Sequence, residues 1–346
     1  MRMITYCDAL NEAMLQEMER DDSIFVYGIG VPDHKRIFDS TCNILEKFGS
    51  ERCFDTPLAE DSMTGFALGA AINGLRPIHI HIRMDFLLLA MNQIANMISS
   101  FSYGCGGKQG VPLVIRVVIG RGWGQGFQHS KSMHAAFAHI PGLKVVLPTS
   151  PSDAKGLLIA SIRDNNPVIF IEHRWLYWQK GEVQEEPYEI PIGKGNIVRK
   201  GKDLTIVATS WMNIEALHAA KILSDHGVEI EIIDPRTISP LDEQIIIESV
   251  KKTKHLIVAD NDWIYCGFGS EVAAIVSEKC FGHLKAPVKR IGFAQVPCPT
   301  ARHLENKFYP NAETVVREVE QMLGLSRIDL SSESFYSHEN RFKGPF

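Results

Sequence analysis

The sequence has no G-x-x-x-x-G-K-[ST] phosphate loop and no G-x-G-x-x-G following a strand-like run. Neither a P-loop nor the dinucleotide fingerprint is therefore available. No C-x-x-C pair occurs among the seven cysteines, an odd number, which disfavours both a disulfide framework and a thiolate zinc site. No G-x-S-x-G turn occurs, so the nucleophile elbow of a serine hydrolase is missing. No apolar run reaches the ~20 residues that span a bilayer. Excess positive charge is absent too. The formal net charge is -5 and the basic residues are dispersed, which leaves no footprint for a nucleic acid. The cysteines read as reduced thiols of a cytoplasmic protein. The acidic, helix-forming start "MRMITYCDALNEAMLQEMERD" is unlike a targeting peptide.

What is present is globular: 45% of the 346 residues are hydrophobic and 22% charged, enough for two sizeable cores. Strand-like runs alternate with helical ones. "SIFVYGIG" precedes a helix near 41–48, "RPIHIHI" leads into a long helix "DFLLLAMNQIANMISSFSYG", and "VPLVIRVVIG", "LKVVLPT" and "PVIFIEH" are further strands around the helix "PSDAKGLLIASIRDN". Alternation with continuously apolar strands predicts a parallel sheet covered on both faces. "YWQKGEVQEEPYEIPIGKG" is polar with two prolines and reads as an interdomain connection. The alternation then resumes in a smaller α/β domain. The predicted boundaries are 1–185, a linker over 186–200, a second domain over 201–325 and a polar tail over 326–346. The tail is read as either disordered or an arm.

In "FDTPLAEDSMTGFALGAAINGLRPIHIHI", Glu60 heads an apolar helix whose glycines, Gly65 and Gly69, would let another backbone come close. Alone it is either a helix-start acid or a site. The loop "GRGWGQG" has glycines at alternate positions after a strand, a setting that suits a ligand crevice, and it runs into "FQHSKS" with His129. His79 and His81 project from one face of their strand. No third metal ligand stands at a telling spacing, so polar packing or substrate contact is favoured over zinc.

Several segments together resemble a known family: "DTPLAEDSMTGFALGAAINGLRPI", "QHSKS", "AHIPGLKVVLPTSPSDAKGLLIASIRDNNPVIFIE", "IPIGKG", "IIDPRTISPLD" and "GFGSEVAA". The family is the beta subunit of the thiamine diphosphate-dependent, decarboxylating component of 2-oxo acid dehydrogenases, whose members include the pyruvate, branched-chain and acetoin enzymes. The resemblance implies an α/β protein with two doubly wound domains, a transketolase-like pyrimidine-binding domain and a transketolase C-terminal domain. It also implies that Glu60 hydrogen-bonds the cofactor's aminopyrimidine and sets the tautomer that takes the thiazolium C2 proton. Phe86 and Ile82 become cofactor contacts, and His129 a second catalytic residue that handles protons or charge during acyl transfer. The backbone carbonyls of Leu113, Ser161, Asp164 and Asn166 match a monovalent-cation site, K+ in some members.

Thiamine enzymes anchor the diphosphate through Mg2+ with a G-D-G motif. None occurs here. In the family that half belongs to an alpha subunit, so the resemblance implies an α2β2 heterotetramer containing a beta–beta homodimer, with acyl transfer to a lipoyl acyltransferase. Ile80, Arg83, Leu89, Arg121 and Trp123 depart from the family's pattern. Arg83 admits two readings: a contact to an anionic substrate, to which His81 is added, or a pair with Asp85 or Asp61. The alternatives are a split transketolase-like carboligase acting on a polar or phosphorylated substrate, motivated by Arg83, His79 and His81 together, and a non-catalytic assembly subunit.

Overall fold

A computed structural model describes residues 1–122 and 125–335. Trp123 and the last eleven tail residues, 336–346, lie outside the described residues. The chain divides into two compact units, Met1–Gly122 with Gln128–Ile192, and a second beginning at Gly193. No described helix is long and apolar enough to cross a membrane.

The first unit opens with β1 (Arg2–Thr5) and α1 (Tyr6–Arg20). Thr5 and Asp8 form a reciprocal capping box, satisfying two donors that a bare helix start would leave open. Then follow β2 (Ile24–Tyr27), α2 (Ile44–Phe48), β3 (Cys53–Phe54), α3 (Glu60–Ile72) and β4 (Arg76–His81). The single long helix read after β4 is instead segmented. It comprises α4 (Met84–Leu87), a 3-10 turn, a π-helical stretch over Asn92–Ile98 and α5 (Ser99–Gly104). Apolar spacing marks a helix but does not separate α from π winding, which differs by one residue per hydrogen-bonded ring.

The unit is completed by β5 (Val114–Ile119), α6 (His134–Ala138), β6 (Lys144–Val146), α7 (Pro151–Arg163), β7 (Val168–His173) and β8 (Lys180–Val183). Its main strands lie in the order β6-β7-β5-β4-β2-β3, and each of these pairings is parallel. Strands β2, β5 and β7 are buried at every residue, as the continuous apolar runs require of a sheet covered on both faces.

The second unit contains β9 (Asn196–Arg199), β10 (Leu204–Ala208), α8 (Trp211–Asp225), β11 (Ile230–Asp234), β12 (Thr237–Ser239), α9 (Glu243–Thr253), β13 (Leu256–Trp263), α10 (Phe268–Cys280), β14 (Lys289–Phe293), α11 (Arg302–Glu305) and α12 (Ala312–Leu323). Its sheet runs β14-β13-β10-β11-β9, parallel except for the edge strand β9. β9 falls inside the stretch read as a linker. The tail also begins later than its composition suggests. Ile328 and Leu330 are buried in the second unit's core with α8 and α12 residues, and the Ile328 N–H donates to Glu320 Oε1 at 2.6 Å.

One ion pair lies inside the first sheet. Arg116 on β5 donates to Glu172 on β7 through Nε at 2.5 Å and Nη2 at 2.8 Å, and both side chains are fully buried. Tyr177 Oη donates to the same carboxylate at 2.6 Å. Removing one member of such a pair strands the other charge and costs about 3–5 kcal/mol, whereas an apolar replacement of both is often tolerated. Glu172→Ala is therefore expected to lower the chain's thermal unfolding midpoint sharply, and Arg116→Met with Glu172→Leu to recover most of the loss. Equal destabilisation by the single and double variants would contradict a buried-charge origin.

Candidate active site

The chain passes from β2 outward to β3, then returns across β2 to place β4 on its other side. This reversal of strand order separates the connections leaving the carboxyl ends of β2 and β4, the place where open α/β sheets bind ligands. A cavity of about 130 Å³ lies there. It is lined by Ile29 just past β2, Thr56, Pro57 and Leu58 before α3, Glu60 and Met63 on α3, His79 to Ile82 at the end of β4, and Phe86. Gly28 makes the crossing possible. A β-carbon on it would come within 2.3 Å of the Ile80 carbonyl oxygen, so only glycine lets β2 and β4 part so closely.

Glu60 and Phe86, sixth and thirty-second after the phenylalanine that ends β3, thus share one apolar pocket with Ile82. Glu60 is half-buried in the first turn of α3, whose N-cap residue, Ala59, offers no side-chain acceptor. Its carboxylate therefore sits in the favourable field of a helix start. The neighbouring Asp61 accepts a hydrogen bond from Gln93 Nε2 at 3.1 Å. The same Gln93 side chain is what approaches Gly65, at 3.4 Å from its would-be β-carbon, while Gly69 faces open space. The expectation of a second backbone at both glycines is corrected accordingly. α3 buries only one face, through Thr64, Ala67, Leu68 and Ala71, and leaves Phe66 exposed.

His129 joins the site from the loop after β5. Its ring packs edge-on against Phe86, 5.2 Å between centroids. Asp85 ties down the same loop, accepting from Lys131 Nζ at 2.8 Å and Lys131 N at 3.2 Å. The His129 pKa is lowered, first by burial and then by the nearby charge of Arg83, with Lys131 adding to the effect and Asp85 opposing it.

Arg83 is buried and is not among the residues lining the cavity. It donates through Nη1 to the Gly120 carbonyl at 2.7 Å, and its guanidinium lies over the Phe38 ring at 5.6 Å. Asp85 and Asp61, the two pairing candidates read from the sequence, bind Lys131 and Gln93 instead. Arg83 thus fixes the start of the glycine loop. Gly120 itself has φ +78° and would bring a β-carbon within 2.5 Å of the His173 ring, so the loop leaves β5 in a conformation reserved for glycine.

Of the four carbonyls read as a cation site, those of Leu113, Ser161 and Asp164 are engaged in hydrogen bonds around the turn between α7 and β7. Leu113 O accepts from Val168 N at 2.9 Å and Ser161 O from Asp164 N at 3.3 Å. Asp164 O accepts from Arg76 Nη2 at 2.7 Å, and Arg76 also reaches Ile162 O. A cation at this turn would therefore share it with a fixed guanidinium.

Two family descriptions match the chain: transketolase, pyrimidine binding domain, over residues 2–179, and transketolase, C-terminal domain, over residues 193–315. The acetoin:2,6-dichlorophenolindophenol oxidoreductase subunit beta of Bacillus subtilis is 40% identical over 335 residues, spanning 93% of this chain and 98% of that protein. The pyruvate dehydrogenase E1 component subunit beta of Rickettsia felis is 40% identical over 319 residues, 92% of this chain and 98% of that one. The chain belongs to the 2-oxo acid dehydrogenase E1 beta-subunit family. A solved split-gene transketolase, an inactive beta4 tetramer, superposes with a TM-score of 0.76 over 94% of this chain and 99% of its own, at 23% identity. That likeness speaks to the fold alone.

Within this E1 beta framework, the sequence brings Glu60, Ile82, Phe86 and His81 to one cavity and His129 to its aromatic wall. It did not point to Ile29, Met63 or the Thr56–Leu58 turn. Their only signal was position, immediately past β2 and immediately before α3. The carboligase reading rested mainly on Arg83 as a substrate contact. The inward-turned guanidinium, together with E1 beta relatives matching almost end to end, does not favour it.

The electrostatics can be tested directly. Because a neighbouring cation disfavours imidazolium, the His129 ring should titrate below the ordinary histidine range. Arg83→Met should move its midpoint upward, and Asp85→Asn should move it further down. Proton NMR titration of the His129 ring reads both shifts, and no change in Arg83→Met would contradict the placement of Arg83.

Proposed function

We propose that the chain is the beta subunit of a thiamine diphosphate-dependent 2-oxo acid dehydrogenase, contributing the half-site for the cofactor's aminopyrimidine. The observation that carries this reading is the sharing of one small apolar cavity by Glu60 and Phe86 at the strand-order reversal. The cavity's volume suits one six-membered ring, since apolar cavities of about 150 Å³ hold benzene. Its walls are apolar except for Glu60, Thr56 and two imidazoles, a donor set that fits a flat heteroaromatic ring with a polar edge. When bound, thiamine diphosphate supplies a nucleophilic carbon and the electron sink for decarboxylating a 2-oxo acid.

The roles of this chain's residues follow from their positions. Glu60 holds or shares a proton at a ring nitrogen, and Phe86 and Ile82 wall the ring and exclude water. His129, kept neutral by burial and Arg83, is available to accept a proton at the edge of Phe86. Among the described residues no group of three or more His, Cys, Asp or Glu is arranged to hold a metal ion, and no G-D-G occurs. Mg2+ and the diphosphate are assigned to an alpha subunit in an α2β2 complex. Transfer of the acyl group to a lipoyl acyltransferase, a beta–beta homodimer, a cytoplasmic location and K+ at the 161–166 turn complete the proposal. For K+ the Arg76 guanidinium on Asp164 O is a competing occupant, and no catalytic step is derived from it.

Glu60→Gln tests the central role, because it removes the ionisable group while keeping its shape. General acid–base contributions run to about a hundredfold or more. In the complex reconstituted with the alpha subunit, the variant should fold normally, and exchange of the cofactor's C2 proton should slow by at least that factor. Exchange at the wild-type rate would return Glu60 to the status of a helix-start acid.

A further inference from the structure

The connection from β2 to α2 contains an uncommon run of left-handed backbone. Arg36, Ile37, Phe38 and Asp39 have φ of +45°, +47°, +58° and +72°. Consecutive residues with β-carbons, one of them β-branched, adopt this conformation only at a cost. The surroundings fix it. The Asp39 N–H donates to the Lys35 carbonyl and the Thr41 N–H to the Arg36 carbonyl, each at 3.0 Å. Thr41 Oγ1 donates to the Val31 carbonyl at 2.7 Å, and Asn11 Nδ2 to the Ser40 and Cys42 carbonyls at 3.2 and 2.9 Å. Cys7 Sγ donates to the Phe38 carbonyl at 3.3 Å. Backbone strain over-determined in this way clusters at functional sites.

What the turn places is the Phe38 ring. Half-buried itself, the ring meets two buried guanidiniums, Arg174 at 4.3 Å and Arg83 at 5.6 Å. They come from the strands that flank β5, Arg83 two residues past β4 and Arg174 directly after β7. Both exits grip the loop that leaves β5. Arg83 donates to the Gly120 carbonyl, and Trp175, beside Arg174 in the chain, donates through Nε1 to the Arg121 carbonyl at 3.1 Å. Attraction between a cation and an aromatic face is strongest where the cation is desolvated. An aliphatic side chain of similar volume would not hold either guanidinium in this way.

We propose that Phe38 is a positioning residue for His129: set by the left-handed turn, its ring holds Arg83 and Arg174 across the carboxyl end of β5 and so fixes the glycine loop. Phe38 is not among the residues lining the cavity, so it acts through the arginines. The charged groups that face His129 are Arg83, Asp85 and Lys131, and of these Arg83 is the one that Phe38 touches. The bearing of Phe38 on catalysis rests on the reading of His129 as a proton acceptor. Its hold on Arg83 does not.

Proton NMR titration of the His129 ring in the full chain separates this role from packing. Wild type, Phe38→Leu, Phe38→Tyr, Arg83→Met and the double variant Phe38→Leu/Arg83→Met are compared. A guanidinium released toward water acts through a higher dielectric. In Phe38→Leu the His129 midpoint should therefore rise by about half or more of the shift that Arg83→Met produces. Phe38→Tyr, which keeps the aromatic face, should titrate as wild type. In the Arg83→Met background Phe38→Leu should add nothing, because the two changes act through one contact. A lower melting temperature with a wild-type His129 midpoint in Phe38→Leu would make the ring a packing residue and overturn the inference. An equal further rise in the Arg83→Met background would overturn it too. Should Phe38→Leu not fold, Phe38→Met removes the ring with less loss of shape and is read in the same way. The chain is titrated without the alpha subunit, so the result is independent of cofactor binding. Failure of the wild-type complex to bind thiamine diphosphate would overturn the half-site reading and leave the hold of Phe38 on Arg83 intact.

Discussion

The site depends on one topological constraint, the return of the chain from β3 across β2 to form β4. A parallel sheet built in a single direction would have sent the connections after β2 and β4 over the same edge and closed the space between them. The reversal opens it. Gly28 permits the close passage of the β4 backbone, Glu60 is delivered by the helix that follows β3, and β4 delivers His79 to Ile82 from the opposite side. Each wall of the cavity comes from a different element leaving that one point.

A second set of interactions brings the loop after β5 to the cavity. Arg83 holds the Gly120 carbonyl, Asp85 holds Lys131, and between these anchors His129 reaches the edge of Phe86. Both anchors lie in the few residues that follow β4, so one short stretch positions the aromatic wall, the glycine loop and the histidine together. Arg83 does so from within the protein. Its positive charge adds to burial in depressing the His129 pKa.

Much of this was legible in the sequence, and the limits of that legibility have physical causes. Continuous apolar strands announced the parallel sheets, and the position of Glu60 before a small-residue helix marked a carboxylate at a helix start. Resemblance turned Phe86, Ile82 and His129 into neighbours of Glu60. Partners distant in sequence were not legible: Arg83 was matched with acids two and twenty-two positions away, whereas it binds a carbonyl thirty-seven residues on. The helix after β4 was read as continuous because periodicity does not register a change of winding. The tail was read by composition alone, which does not reveal that Ile328 and Leu330 complete the core of the second unit. His79 and His81 were visible as a pair on one strand face. Their near-complete burial, with His79 stacked on Tyr27, belongs to the packed structure.

The central claim is that this chain carries one half of a cofactor site and leaves the diphosphate anchor to another subunit. Calorimetric titration of thiamine diphosphate with Mg2+ into the chain alone, and then into its mixture with the alpha subunit, addresses that claim most directly. The account predicts weak or no binding to the chain alone and tight binding to the mixture. Tight binding accompanied by turnover in the chain alone would contradict it.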